Sequence, residues 1–384
     1  MKFATKLLHG SSYGEKSTGS TTYPIYQTAA YRQETAEDLE KIFSHRKAGF
    51  VYTRAGNPTV ANFERRMASL EHGTGAVAFA SGMAAISAAI LNVIESGDEI
   101  IASSSLFGGT LGLFKDLESF GIKIRYANEN FAELITSKTK LLYVETIGNP
   151  KLNVADIKKL AALAHENNLL LMVDNTLATP KLCNPLDLGA DVVIHSTSKM
   201  IQGGGNAIGG IVILRDVNQI LRLRGRMLMN FGGCAAPLNI FLTEVGLDTL
   251  SLRMERACQN ALSLAEILSE QKNIRVNYPG LEGNPYRKLA AEQFENRFGM
   301  ILTLDFDSKA RAFKFINNLR LALNESNIGD VRTLAIHPAS TIYLNATAEE
   351  KINAGVTEGL VRISAGIEDI SDLTEDFLAA LRKI

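Results

Sequence analysis

The stretch that decides the fold is "ADVVIHSTSKMIQGGGNAIGG", residues 190–210. Three apolar residues, Val192, Val193 and Ile194, stop abruptly at a polar cluster of His195, Ser196, Thr197, Ser198 and Lys199, and glycines follow. A short run that is apolar throughout reads as a strand covered on both faces. The same kind of run recurs upstream as "AVAFA" (76–80), "EIIAS" (99–103), "IKIRY" (122–126), "KLLYVE" (140–145) and "LLLMVD" (169–174), and downstream as "GGIVIL" (209–214). Between them lie segments with apolar residues at helical spacing: 82–97 and 109–121, each stopped by glycine, and 154–168. Strand–helix alternation of this kind predicts an α/β fold with a mostly parallel sheet and right-handed crossovers.

Outward from that core the chain changes character. Residues before about 75 are rich in Tyr, Thr and Pro and show little strand–helix rhythm apart from "AEDLEKIF" (36–43), so they read as an extended arm plus a loop, with residues 1–50 as the N-terminal arm. Residues 51–240 read as the large domain. Residues 241–384 read as a smaller C-terminal α/β domain, with a long helical stretch over 242–271, a strand at 300–306 and a helix at 309–323.

Bulk properties exclude several classes. With 40 basic and 41 acidic residues, the formal net charge is -1, which gives no footprint for a nucleic-acid partner. The apolar runs fall short of a bilayer span, so no membrane partner is expected. The opening "MKFATKLLHGSS" lacks the apolar core of a signal peptide. The three cysteines, Cys183, Cys234 and Cys258, are isolated and lack metal-ligand spacing, so we expect a reducing cytoplasm and no metal site.

In an open parallel sheet, ligands sit outside the carboxyl ends of the strands. The sequence delivers Ser81-Gly82-Met83, Glu145-Thr146 with Asn149 shortly after, Asp174-Asn175-Thr176, and Ser196, Ser198 and Lys199 to those ends. Each has a bland reading. Lys199 alone is a surface charge, Asp174 a turn former, and Ser81 a helix N-cap. Together they describe a different site. A lysine held in a cleft loses its proton readily and can attack a carbonyl. A helix start with glycine, and hydroxyls nearby, suits a phosphate. The glycine-rich 203–210 lacks the spacing of a nucleotide-binding loop and reads as a turn.

Across nearly its whole length the chain resembles the pyridoxal-phosphate enzymes of cysteine and methionine metabolism, of fold type I. The residues that carry the likeness are "YTRAGNPT" (52–59), "ASGMAA" (80–85), "LFGGT" (106–110), "ETIGNP" (145–150), "VDNT" (173–176), "HSTSK" (195–199), "HPAST" (337–341) and "LVRISAGIED" (360–369). The resemblance implies pyridoxal 5'-phosphate as cofactor. It implies that Lys199 holds the cofactor and later moves protons, and that Asp174 pairs with the pyridine nitrogen. Ser81, Gly82, Met83, Ser196 and Ser198 would hold the phosphate. Tyr52 and Arg54 would reach the phosphate of a neighbouring subunit, so a homo-oligomer, a tetramer of catalytic dimers, is expected, with Tyr52 also assisting catalysis. Arg362 would bind the substrate carboxylate, with Asn149 and Thr333 beside it; without the resemblance Arg362 reads as a surface arginine next to a helix.

One departure stands out. The family has a tyrosine before "GGT", stacked on the cofactor; here it is Phe107, which can stack but cannot transfer a proton. An acyl leaving group needs protonation less than a thiolate does, so Phe107 favours an acylated substrate. The segments 277–290 and 327–341 resemble those of the family's O-acetylhomoserine sulfhydrylases, with Asn327 where the lyases have serine. The implied reaction is γ-replacement on an acylated homoserine by sulfide or methanethiol. The alternative is γ-elimination from methionine or cystathionine, giving a 2-oxo acid, ammonia and a thiol.

Overall fold

The computed structural model describes residues 1–10, 15 and 17–384; of the expected N-terminal arm, residues 11–14 and 16 lie outside the described residues. Seven strands build the main sheet: β1 (Gly75–Phe79), β2 (Glu99–Ser103), β3 (Lys123–Ala127), β4 (Thr139–Glu145), β5 (Leu170–Asp174), β6 (Val192–Ser196) and β7 (Gly210–Leu214). Their order is β1-β7-β6-β5-β4-β2-β3. β7 runs antiparallel to both neighbours, and every other pairing in this sheet is parallel. The α/β reading of a mostly parallel sheet therefore holds.

The physical cause is the burial of both faces. In β6, Val193 packs with Ile101, Leu142, Leu171 and Val173 on one side, while Ile194 packs with Ile100, Leu141, Met172 and Val212 on the other. Side chains alternate across the pleat, so a strand buried on both faces must be apolar at every position.

A second sheet has the order β10-β11-β12-β9-β8, from β8 (Arg275–Asn277), β9 (Ile301–Asp305), β10 (Leu323–Asn324), β11 (Leu334–Ile336) and β12 (Leu360–Ser364). It is antiparallel apart from β10–β11. The helices Leu250–Ser269 and Ile370–Leu381 cover it through Leu264, Leu268, Leu373 and Phe377.

Several expectations needed correction. The segment before residue 75 is not without rhythm: the helix Pro58–Leu70 buries Phe63, Met67 and Leu70. Its start was legible, because the Asn57 side chain accepts from Thr59 N and proline follows. The helix expected over 82–97 is Gly82–Val93, and Ile94 leaves in an extended conformation. The one expected over 154–168 begins only at Ile157, where Asp156 caps it, because Val154 is taken by a bridge to Ile147. The stretch 242–271 lies in two helices, Pro237–Leu247 and Leu250–Ser269. The C-terminal strands β8, β10, β11 and β12 had no expectation: the first three span two or three residues, too few to show a period, and the apolar run of β12 is broken by Arg362. Among the described residues no helix is long and apolar enough to cross a membrane.

Candidate active site

Because β1, β2, β4, β5 and β6 all run the same way, their carboxyl ends share one edge of the sheet. A cleft of about 240 Å³ opens there, lined by both the main sheet and the segment joining β10 to β11. From the sequence-derived set it gathers Ser81, Gly82, Met83, Phe107, Asn149, Asp174, Ser196, Ser198, Lys199 and Arg362.

At one end of the cleft the helix Gly82–Val93 begins. Ser81 caps it, its hydroxyl accepting from Ala84 N at 3.1 Å. The backbone N–H groups of Gly82 and Met83 stand ahead of the first helical hydrogen bond, Ala85 N to Ser81 O, and so lack a partner in the ladder. Gly82 is required by contact: a Cβ there would lie 2.6 Å from the Ser196 Cβ. Bare backbone, a helix N-terminus and the Ser196 hydroxyl thus meet in one cradle, which fits a phosphate group. The Ser198 hydroxyl is engaged with Gly209, accepting from its N at 3.0 Å and donating to its O at 3.2 Å.

Deeper in, two carboxyl groups end adjacent strands. Asp174 accepts from Thr176 N at 3.0 Å. Burial raises its carboxyl above the usual range, while the Thr176 hydrogen bond and the nearby His195 pull it back. Glu145 accepts from Phe107 N at 2.6 Å and from Asn149 N at 3.2 Å. Burial, reinforced by the Asp174 charge, pushes Glu145 well above the ordinary carboxylate range. Two close buried carboxyls do not both ionise readily, and a cation facing them is the natural complement.

Lys199 lies across the cleft, and its Nζ donates to Asn327 Oδ1 at 2.7 Å. Burial, and secondarily the Arg362 charge, lowers its pKa to about 8, so about a tenth is neutral amine at pH 7, far more than for an ordinary lysine. Arg362 sits in the middle of β12 and is 2% exposed, which overturns the reading of a surface arginine. Its Nη1 donates to Asn149 Oδ1 at 3.1 Å and its Nη2 to Asn327 O at 3.0 Å. Its Nε is buried without a partner. An unpaired buried guanidinium N–H is costly, and a ligand carboxylate would relieve that cost.

Three expected residues are not brought to the cleft. Thr333 is fully buried, its hydroxyl donating to Glu368 at 2.8 Å and accepting from Gly366 N at 3.0 Å, so it has nothing left for a substrate. Tyr52 is 48% exposed, and the Arg54 guanidinium lies 5.5 Å from its ring centre and donates to Met229 O. Both stand outside their own chain's cleft. Conversely, the cleft includes Glu145, Thr176, Ile208, Ser326 and Ile328, to which no role was given. Glu145 and Thr176 carried a signal, as polar residues delivered to strand ends; the others carried none. Among the described residues no cluster of His, Cys, Asp and Glu could hold a metal ion.

A sheet of this topology with a lysine, an acid and a phosphate cradle at its carboxyl edge defines a pyridoxal-phosphate enzyme of fold type I. The chain belongs to the Cys/Met metabolism PLP-dependent enzymes, a family matched over residues 4–382. It is similar to an O-acetyl-L-homoserine sulfhydrylase of Leptospira meyeri, 38% identical and covering 99% of this chain and 96% of the relative. It is also similar to an L-methionine gamma-lyase of Fusobacterium nucleatum subsp. polymorphum, 39% identical over 95% of this chain and 94% of the relative. Among solved structures it is similar to a Campylobacter jejuni protein assigned as an O-acetylhomoserine (thiol)-lyase, with a TM-score of 0.95, 32% identity and 100% of both chains covered. That structure carries a pyridoxyl-lysine monophosphate.

Proposed function

We propose that this enzyme catalyses γ-replacement on O-acetyl-L-homoserine, with sulfide or methanethiol as acceptor, giving homocysteine or methionine. The observation that carries the reading is the pairing of Lys199, partly neutral, with Arg362 and its unpartnered Nε, in a cleft where the aromatic residue is Phe107.

Pyridoxal phosphate, when bound, supplies an electron sink for charge developing at the substrate α carbon. Asp174 would hold the pyridine nitrogen, and the cradle of Ser81, Gly82, Met83, Ser196 and Ser198 would hold the phosphate. Arg362 anchors the substrate carboxylate, with Asn149 fixing the guanidinium through its Oδ1. Lys199 Nζ, released from Asn327 Oδ1, would remove the α proton, pass it on, and then remove a proton from the β carbon, whose electron pair expels acetate from the γ carbon; it would return a proton to the β carbon once the acceptor has added. Phe107 stacks and excludes water, and its ring can give no proton to the departing group. Acetate leaves without that help, whereas a thiolate leaves poorly without it.

Tyr52 and Arg54 complete the site from a neighbouring subunit in this reading. Their position outside their own cleft and the exposure of Tyr52 support it, and a homotetramer of catalytic dimers follows as the proposed assembly. We retain the division into an arm (1–50), a large domain (51–240) and a small domain (241–384), and cytoplasmic residence, where the three free cysteines would stay reduced.

The second reading, elimination from methionine or cystathionine, is favoured by chain length. The match to the sulfhydrylase runs over 426 aligned positions, more than the 384 residues of this chain, whereas the match to the γ-lyase runs over 375. The deciding assay uses the cofactor-loaded protein. O-acetyl-L-homoserine with sulfide is expected to yield homocysteine, and L-methionine alone to yield little 2-oxo acid. The reverse pattern would establish the lyase.

A further inference from the structure

Behind the cleft lies a second, fully buried polar layer. The side chains of Glu71, Thr146, Asn175 and His195 are all shut off from solvent. Glu71 follows the helix Pro58–Leu70, on the far side of the sheet edge from the helix Gly82–Val93. One of its oxygens lies 2.6 Å from His195 Nε2 and accepts from Asn175 Nδ2 at 2.9 Å. The other accepts from Asn184 Nδ2 at 3.2 Å. Asn175 Oδ1 in turn accepts from the Thr146 hydroxyl at 2.7 Å. Among the described residues no lysine or arginine pairs with this carboxyl.

The placement follows a rule. Thr146, Asn175 and His195 are the chain neighbours of Glu145, Asp174 and Ser196, three groups that line the cleft. Successive side chains on an extended chain point to opposite faces. Each strand end therefore offers one residue forward to the cleft and one backward to this layer. The backward residues of β4, β5 and β6 converge, directly or through Asn175, on a single carboxyl group.

We propose that Glu71 is a positioning residue for the cofactor site: through His195 and Asn175 it locks the ends of β5 and β6, and so the places of Asp174 and Ser196. This rests on the cofactor site proposed above. Burying a carboxyl costs desolvation, and its hydrogen bonds to Asn175 and Asn184 and its contact with His195 give it a fixed place that an apolar residue could not hold. His195 Nδ1 is buried with no partner, so the imidazole is held by Glu71 alone. The Nε2–H tautomer follows from that contact. Weakening the Glu71 contact takes from the ring its one polar anchor, and with it the hold on the peptide that presents Ser196.

The test is a titration of apo-protein with pyridoxal 5'-phosphate, followed by visible absorbance and visible circular dichroism, beside thermal unfolding of the apo-protein. Wild type, Glu71→Gln, His195→Gln and the double variant are compared. Both single variants should bind the cofactor ~10- to 100-fold more weakly, the range typical of residues that orient ligand-binding groups. Both should alter the dichroic band of bound cofactor, and the double variant should be little worse than either single one. Wild-type affinity and an unchanged band in both singles would overturn the proposal, even if their unfolding temperatures fell, since the layer would then serve stability alone. Should Glu71→Gln not fold, His195→Gln decides by itself, because it leaves Glu71 bonded to both asparagines. Failure of the wild type to bind would instead overturn the site reading on which this proposal stands.

Discussion

The amine of Lys199 and the guanidinium of Arg362 are joined through one residue: Lys199 Nζ donates to Asn327 Oδ1 at 2.7 Å, and Arg362 Nη2 donates to Asn327 O at 3.0 Å. The group that would abstract the α proton and the group that would hold the carboxylate thus share a fixed point. Burial, and after it the like charge of Arg362, lowers the pKa of the amine to about 8. The consequences can be measured.

Lys199 is expected to make stability depend on pH in the apo-protein. Its pKa is about 8 when folded and 10.5 when unfolded, so between those values the unfolded chain binds more protons. Stability from this group then rises as pH increases from about 8 to about 10.5 and is at its lowest below about 8. Lys199→Met should remove that rise and stabilise the apo-protein at pH 7 by on the order of 2 kcal/mol. Chemical denaturation of both proteins across this range checks the sign. The same variant should have no turnover.

Arg362→Lys should raise KM for the amino-acid substrate about 10- to 100-fold, because an ammonium cannot reproduce a bidentate contact to a carboxylate. The stability of the fold should change little, as the aliphatic stem remains. Steady-state kinetics on the loaded enzyme decide it; an unchanged KM would remove Arg362 from the substrate site.

Gly82→Ala places a methyl group 2.6 Å from the Ser196 Cβ. The backbone must move, at about 1–3 kcal/mol. We expect a lower unfolding temperature together with weaker binding of pyridoxal phosphate. Weaker stability with unaltered affinity would separate this glycine from the phosphate cradle.

Phe107→Tyr introduces a proton donor where a leaving group departs. Formation of 2-oxo acid from L-methionine should rise about tenfold or more, within the range general acid catalysis supplies. Homocysteine formation from O-acetyl-L-homoserine should change less, since acetate needs no such help. Equal effects on both reactions would show that Phe107 does not set the reaction's course.

Much of the fold was legible in individual strands. "VVI" (192–194) and "LLMV" (170–173) are apolar at every position because both faces of β6 and β5 are covered, and that requirement writes itself directly into sequence. The order of groups at the strand ends, Ser81, Asp174 and Lys199 among them, followed once those strands were seen as parallel. The helix Pro58–Leu70 was overlooked although its cap stood in plain view at Asn57-Pro58; the three-residue β11 is too short to show a period, and the apolar run of β12 is broken by Arg362.

What the sequence by itself determined was the parallel sheet, its carboxyl edge and the residues delivered to that edge, because strand periodicity and burial are local properties of the chain. Only the tertiary structure decided how distant segments meet there. It put Arg362 in the core of a second sheet and in contact with Asn149, 213 positions away. It spent Thr333 on Glu368, left Tyr52 and Arg54 outside, and set Glu71 behind three strand ends. Contacts of that range depend on how segments far apart in the chain come together, and no local pattern of residues encodes them.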